Sequence, residues 1–149
     1  MNIADLEQAI VADDIERVVV GALIKHEGCY LILRRSATES FLPGFDEIPS
    51  GHVEPNESIM DGLRREVYEE TGLKILNILS FCNSFDYKSS SSKKTRQLNF
   101  LVQCHKDTIK LNPQEHQAFF WLSPQSSEFA QLKLSPETRK SIVDADSKE

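Results

Sequence analysis

Glutamates crowd the run GHVEPNESIMDGLRREVYEETGL, residues 51–73, and Glu66, Glu69 and Glu70 fall together near its end. Pro55 and Asn56 interrupt the chain ahead of them, and Asn56 is placed to cap a helix. Gly72 stands where a left-handed C-terminal cap is wanted. Between these points the residues predict a helix of roughly four turns, at about 3.6 residues per turn. Ile59, Leu63 and Val67 form one apolar stripe along it, which must face a core.

The acids fall on the wrong side of that helix. On a wheel of about 100° per residue with Ile59 at zero, Glu66 lies near roughly −20° and Glu70 near roughly +20°. Glu69 falls beside Gly62, at the edge of the stripe. The solvated side should instead carry Asp61, Arg64 and Tyr68. A plain solvated acidic face therefore fits badly. Like charges one turn apart repel, and the C-terminal half of a helix is the negative end of its dipole. Burying unpaired carboxylates costs several kcal/mol each or forces them to protonate. A bound cation reverses the sign of those interactions. Oxygen-only ligands select a hard ion, Mg²⁺ or alternatively Mn²⁺.

The same residues match a known signature, the Nudix box G-x5-E-x7-R-E-U-x-E-E-x-G-U, with U a bulky apolar residue. Gly51, Glu57, Arg65, Glu66, Val67, Glu69, Glu70, Gly72 and Leu73 meet it without departure. The chain resembles the Nudix hydrolases, and the likeness runs from about Arg17 to Leu122. RVVVGALI, CYLILRRS, FLPGFDEIPSGHVEP and EHQAFFWLS carry it outside the box. Ser50 and Asn56 stand where many members have glycine.

The resemblance implies hydrolysis of a diphosphate linkage in a nucleoside diphosphate joined to another group. It implies Glu66 and Glu70 as principal metal ligands and Glu69 as a further one. Gly51 is expected to turn its carbonyl oxygen to the metal, and Glu57 to be an auxiliary ligand or an outer anchor. Glu66 is the first candidate for the base. Glu115, in the polar loop NPQEHQ, is either a loop metal ligand or base, or an ordinary exposed acid. Arg65 is expected to hold glutamates in place, or else to form a surface pair with Asp61.

A net charge of −6 would by itself repel a polyphosphate, so the metal must also supply attraction. At 149 residues and 40% hydrophobic the chain is expected to be one domain, with no run long enough to span a membrane. Residues 1–14 predict a short helix, with Ile3, Leu6 and Ile10 on one side. It packs on the body or on a partner subunit, in which case the protein is a homodimer. Its acidic start is not that of a signal peptide. Cys29, Cys82 and Cys104 read as reduced thiols in a cytoplasmic protein, and the four histidines show no zinc spacing. His52 reads as a plain loop histidine. No basic face for DNA is evident. The cluster Lys93, Lys94 and Arg96 follows the serine run 89–92, a hairpin tip, and reads as a solvated loop or as an arm toward an anionic substrate.

Val18–Ile24 and Tyr30–Arg34 predict a hairpin across Glu27-Gly28. Asp46–Ile48 is a short extended piece. Lys74–Tyr87 reads as one long strand or two, pairing with Gln97–Cys104, and Phe119–Leu122 as another strand. Ser135 caps a terminal helix with Pro136 in its first turn. The expected fold class is α/β, an α/β/α sandwich on a mixed sheet, and the resemblance implies the same.

A MutT-like nucleoside triphosphate pyrophosphatase is the leading substrate reading. The alternatives are an ADP-ribose, dinucleoside polyphosphate or RNA 5′-end pyrophosphohydrolase, or a Nudix-fold nucleotide sensor without activity. The proline of many ADP-ribose pyrophosphatases is missing from DYKSSSS. Arg34, Phe45 and Tyr87 are the candidates for substrate contact, with Phe41, Phe85 and Phe119 as further aromatic residues that could stack a base.

Overall fold

The computed structural model describes residues 2–148. In chain order the elements are α1 (Ile3–Ala12), β1 (Arg17–His26), β2 (Cys29–Arg35), β3 (Asp46–Glu47), β4 (Ser50–His52), α2 (Ile59–Thr71), β5 (Ile75–Lys88), β6 (Lys94–Cys104), β7 (His116–Leu122), α3 (Ser127–Ala130) and α4 (Pro136–Ser147). The expected α/β sandwich on a mixed sheet is what forms. The strand order is β3-β2-β1-β6-β5, with β4 added to β1 and β7 to β2. The β1–β6 pair is parallel and the other pairs are antiparallel.

Alternation along the central strands splits the core into two layers. Val20, Ala22 and Ile24, Leu31 and Leu33, and Leu98, Phe100 and Val102 pack with Leu6 of α1 and Ile59, Leu63 and Val67 of α2. Leu23, Tyr30, Ile32 and Leu101 face the other way, on Phe129 of α3 and Ile142 and Ala145 of α4. Leu6 thus anchors α1 to the body of its own chain, with Ile3 and Ile10 against the same layer.

The β1–β2 hairpin turns at Glu27 and Gly28, whose φ values of 50° and 78° are those a two-residue type I′ turn requires. β5 runs as one long strand with register irregularities along it. The terminal helix begins as expected, with Ser135 accepting from the Thr138 N–H and Pro136 in the first turn. The serine tip is closed by its own hydrogen bonds. Arg96 is committed to Asp86 and Asp13, and Lys94 Nζ donates to the Asp13 carbonyl. Of the basic cluster, Lys93 alone is left as an exposed, uncommitted charge among the described residues.

One boundary differs from expectation. α2 is capped by Ser58, which accepts from the Asp61 N–H at 3.1 Å, and not by Asn56. Asn56 has φ 66° in the turn between Glu54 and Glu57, and a left-handed residue cannot be the extended residue that precedes a helix. Glycine's ease with positive φ explains why it is common at this position in the family. Gly72 ends the helix at φ 75°, with its N–H on the Tyr68 carbonyl. No helix among the described residues is long and apolar enough to cross a membrane.

Candidate active site

α2 lays its acid-bearing edge against β4, so that the glutamates meet the backbone of residues 50–52. Glu70 is 9% exposed. Its Oε1 accepts from the Ser50 N–H at 2.8 Å. Burial pushes its carboxyl up to about 9; the Glu47, Glu66 and Glu115 charges act in the same direction, and the Ser50 hydrogen bond opposes them. Glu66 is half-buried, and its carboxyl is also raised, first by burial and against the pull of Arg65. Gly51 is required where Glu66 approaches. A Cβ built there would overlap the Glu66 carboxylate, so any other residue displaces it.

Arg65 ties the acids to the strand. Its Nε donates to Glu57 Oε2 at 2.7 Å and its Nη2 to Glu57 Oε1 at 2.9 Å. Nη1 reaches Glu66 at 2.9 Å and Glu69 at 3.2 Å, and Nη2 also donates to the His52 carbonyl at 2.8 Å. The Arg65 hydrogen bonds hold the Glu57 carboxyl at about 2. No pair forms between Arg65 and Asp61; Arg64 is the residue near Asp61, at 3.9 Å. Glu57, expected as an auxiliary ligand or an outer anchor, has both oxygens bonded to Arg65, and its Oε1 also accepts from the Glu54 N–H. That makes it the anchor of the arginine.

Two residues not singled out from the sequence join this group. Glu47, Glu70 and His116 each bring a ligand atom within 4.8 Å of the others. His116 is 2% exposed, with Nε2 2.7 Å from Glu47 Oε2 and a buried Nδ1 that has no hydrogen-bond partner. Alternation in the short extended piece Asp46–Ile48 was the available signal for Glu47, since it points away from the buried Asp46 and Ile48. Nothing local marked His116. Glu115 itself is exposed in the loop before β7, and its charge is felt by Glu66 and Glu70.

Beside the acids opens a cleft of about 640 Å³, sharing Glu47, Ser50, Gly51 and His52 with them. Phe41, Phe45, Phe85 and Tyr87 line it. Phe45 and Tyr87, the candidates for substrate contact, line it, whereas Phe119 does not. Arg34 does not line it either. Its Nε is 2.8 Å from Asp46 Oδ1 and its guanidinium lies over the Phe120 ring. Arg35 lines it instead, because alternation along β2 puts Arg35 on the face of Leu31 and Leu33 and Arg34 on the face of Tyr30 and Ile32.

The donor set suits a hard divalent ion. Glu47 and Glu70 bring carboxylate oxygens within 4.8 Å of one another, and Glu66 stands close enough for its charge to act on Glu70.

Comparison with known proteins agrees. The family model for the NUDIX domain matches residues 15–145. The chain belongs to the Nudix hydrolase family. Its Nudix box is the Gly51–Leu73 segment described above. Among curated proteins it is 31% identical over 135 residues to the nucleoside triphosphatase NudI of Escherichia fergusonii, covering 85% of this chain and 94% of that one. The NudI of Salmonella arizonae is 29% identical over 137 residues, with the same coverage. Among solved structures, the MutT protein of Methanosarcina mazei superposes with a TM-score of 0.75 at 29% identity, over 89% of this Nudix chain and 94% of that one. A MutT Nudix hydrolase from Burkholderia pseudomallei, at 21% identity and TM-score 0.74 over 86% and 96%, shares the fold.

Proposed function

We propose that this Nudix hydrolase cleaves nucleoside triphosphates with water to a nucleoside monophosphate and pyrophosphate, in a Mg²⁺-dependent reaction. The observation that carries the reading is the juxtaposition of the buried Glu66–Glu70 edge with a roomy aromatic cleft, sharing Gly51 and Glu47. The relatives named nucleoside triphosphatase support it.

Glu66 and Glu70 would hold the ion, with Glu69, Glu115 and the Gly51 carbonyl as further oxygens; Mg²⁺ there offsets phosphate charge and acidifies water. Mn²⁺ would fit the same oxygens. The protein's own groups do the positioning. Arg65, braced by Glu57 and the His52 carbonyl, fixes the Glu66 carboxylate. Glu66, held by Arg65, is the proposed proton acceptor from the attacking water. Phe45 and Tyr87 would stack the base, and Arg35 is the arginine available to the substrate in place of Arg34. We place the enzyme in the cytoplasm, consistent with three free cysteines.

The test is a panel of normal and oxidised nucleoside triphosphates, ADP-ribose, dinucleoside polyphosphates and capped RNA, assayed with Mg²⁺ for released monophosphate and pyrophosphate. Triphosphates should lead. Cleavage of another class alone would replace the substrate assignment, and binding without cleavage would make the protein a sensor.

A further inference from the structure

On the floor of the cleft, a chain of amides runs from the cleft into the α4 layer. Gln97 and Asn99 are successive residues on one face of β6, and Gln97 Nε2 donates to Asn99 Oδ1 at 2.9 Å. Asn99 Nδ2 donates to Asn83 Oδ1 and to Ser141 Oγ, both at 3.1 Å. Asn83 Nδ2 also donates to Ser141 Oγ, at 2.8 Å. Gln97 is 9%, Asn99 0% and Ser141 1% exposed. Room for the chain comes from Gly21, which pairs with Asn99. A Cβ at Gly21 would overlap Asn99 Oδ1 and lie 2.9 Å from Gln97 Nε2.

The direction of this chain is fixed from its far end. Ser141 Oγ lies 2.8 Å from the Glu137 carbonyl one helical turn back, an oxygen that can only accept. Asn83 Oδ1, at 3.0 Å, is a second acceptor for the same proton, and with that proton on either oxygen Ser141 Oγ accepts from Asn99 Nδ2. Asn99 therefore turns its oxygen to Gln97, and Gln97 must donate with its nitrogen. The Gln97 oxygen has no protein partner among the described residues, and Gln97 lines the cleft. Phe85 pairs directly with Gln97 across the sheet and lines the same floor. Asp86 and Glu137 also line the cleft, Asp86 with both oxygens held by Arg96.

We infer that Gln97 reads the nucleobase, its held carbonyl oxygen accepting from an exocyclic amino group. Resting on the triphosphate reading above, this selects cytosine and adenine over the counterparts that carry a carbonyl at that position, uracil and hypoxanthine. In the same pose those bases set oxygen against oxygen, and Gln97 cannot turn over without breaking the chain behind it. A site built to bond a substrate group discriminates against the analogue that leaves it unpaired, here by about ten- to a hundredfold.

The test is kcat/KM with Mg²⁺ for the matched pairs dCTP/dUTP and dATP/dITP, in the wild type, Gln97→Leu and Ser141→Ala. The amino bases should lead by tenfold or more in the wild type. Gln97→Leu should bring both ratios close to one. Ser141→Ala should lower them, because the amides can then turn over together. Gln97→Met, nearly the same shape, replaces Gln97→Leu if circular dichroism shows the latter unfolded. Equal rates within each pair in the wild type, or ratios that survive loss of the Gln97 amide, would overturn the inference and leave triphosphate hydrolysis standing. If no triphosphate is cleaved at all, the underlying assignment fails and takes this one with it.

Discussion

Glu70→Gln separates the two roles of the buried carboxyl, because it removes the charge and keeps the shape. Glutamine can still accept the Ser50 N–H, so the fold should survive while turnover collapses. Without metal the effect on stability has a definite sign. The Glu70 carboxyl is pushed up to about 9 in the folded protein, against an ordinary value of 4.5. Between those values the folded state holds a proton that the unfolded state has released, so stability falls as pH rises through that window. At 1.36 kcal/mol per pH unit, moving from pH 6 to pH 8 costs the wild type about 3 kcal/mol through this group. That corresponds to a Tm lowered by about 10 °C in a chain of this size. Glu66, also raised, adds in the same direction, and the difference between wild type and variant isolates Glu70. The assay is thermal and urea unfolding in EDTA at both pH values, repeated with Mg²⁺. The variant should be the more stable protein at pH 8 and lack most of the pH slope. It should also gain less from Mg²⁺ than the wild type, whose ion affinity rises with pH as Glu70 ionises. A wild type equally stable at pH 6 and pH 8, with a variant no firmer at pH 8, would refute the uncompensated buried carboxyl.

Gly51→Ala should drive the Glu66 carboxylate aside and lower kcat by on the order of 10²-fold, read together with Mg²⁺ affinity by calorimetry. Arg65→Lys cannot span Glu57, Glu66 and the His52 carbonyl with one ammonium. It should lower kcat by roughly 10- to 100-fold with little change in KM, and an unchanged kcat would remove Arg65 from the positioning of Glu66. Tyr87→Ala removes a wall of the cleft and should raise KM for triphosphates about tenfold with kcat less affected, as loss of one stacking partner predicts. Arg34→Ala should act mainly on stability, through Asp46, and Arg35→Ala mainly on KM; the reverse pattern in melting and kinetic data would overturn the placement of the two arginines.

Periodicity carried most of the fold, because periodic signals are local. Ile59, Leu63 and Val67 defined a buried face, and the same wheel put Glu66 and Glu70 against it, where both are found largely out of water. What escaped was set by contacts between distant segments or by single backbone torsions. Glu47 and His116 are separated by 69 positions and meet only because β3 and β7 flank β2. Arg34 and Arg35 lie on opposite faces of β2 by simple alternation, and which face carries the cleft depends on β3, β4 and α4, which are distant in sequence. The cap moved from Asn56 to Ser58 because Asn56 took a left-handed torsion, and either residue type caps well. Gln97 reads from the sequence as one polar residue in a buried strand; its orientation depends on a hydroxyl in α4 and on a missing side chain at Gly21.

These misses and successes share a cause. Burying Glu70 works against the fold, as does the buried His116 Nδ1, which has no hydrogen-bond partner among the described residues. Segments chosen for stability alone would carry an apolar residue at each place. Local patterns betray such a residue only when it breaks a stripe, as Glu66 and Glu70 do in α2. Gln97, Glu47 and His116 break no stripe, and their cost becomes visible only when the strands are assembled. The unpaired Gln97 oxygen and the uncompensated Glu70 carboxyl then make independent demands on one ligand. On the proposed function, an amino-bearing base would donate to the one, and Mg²⁺ carried with the triphosphate would displace the proton from the other.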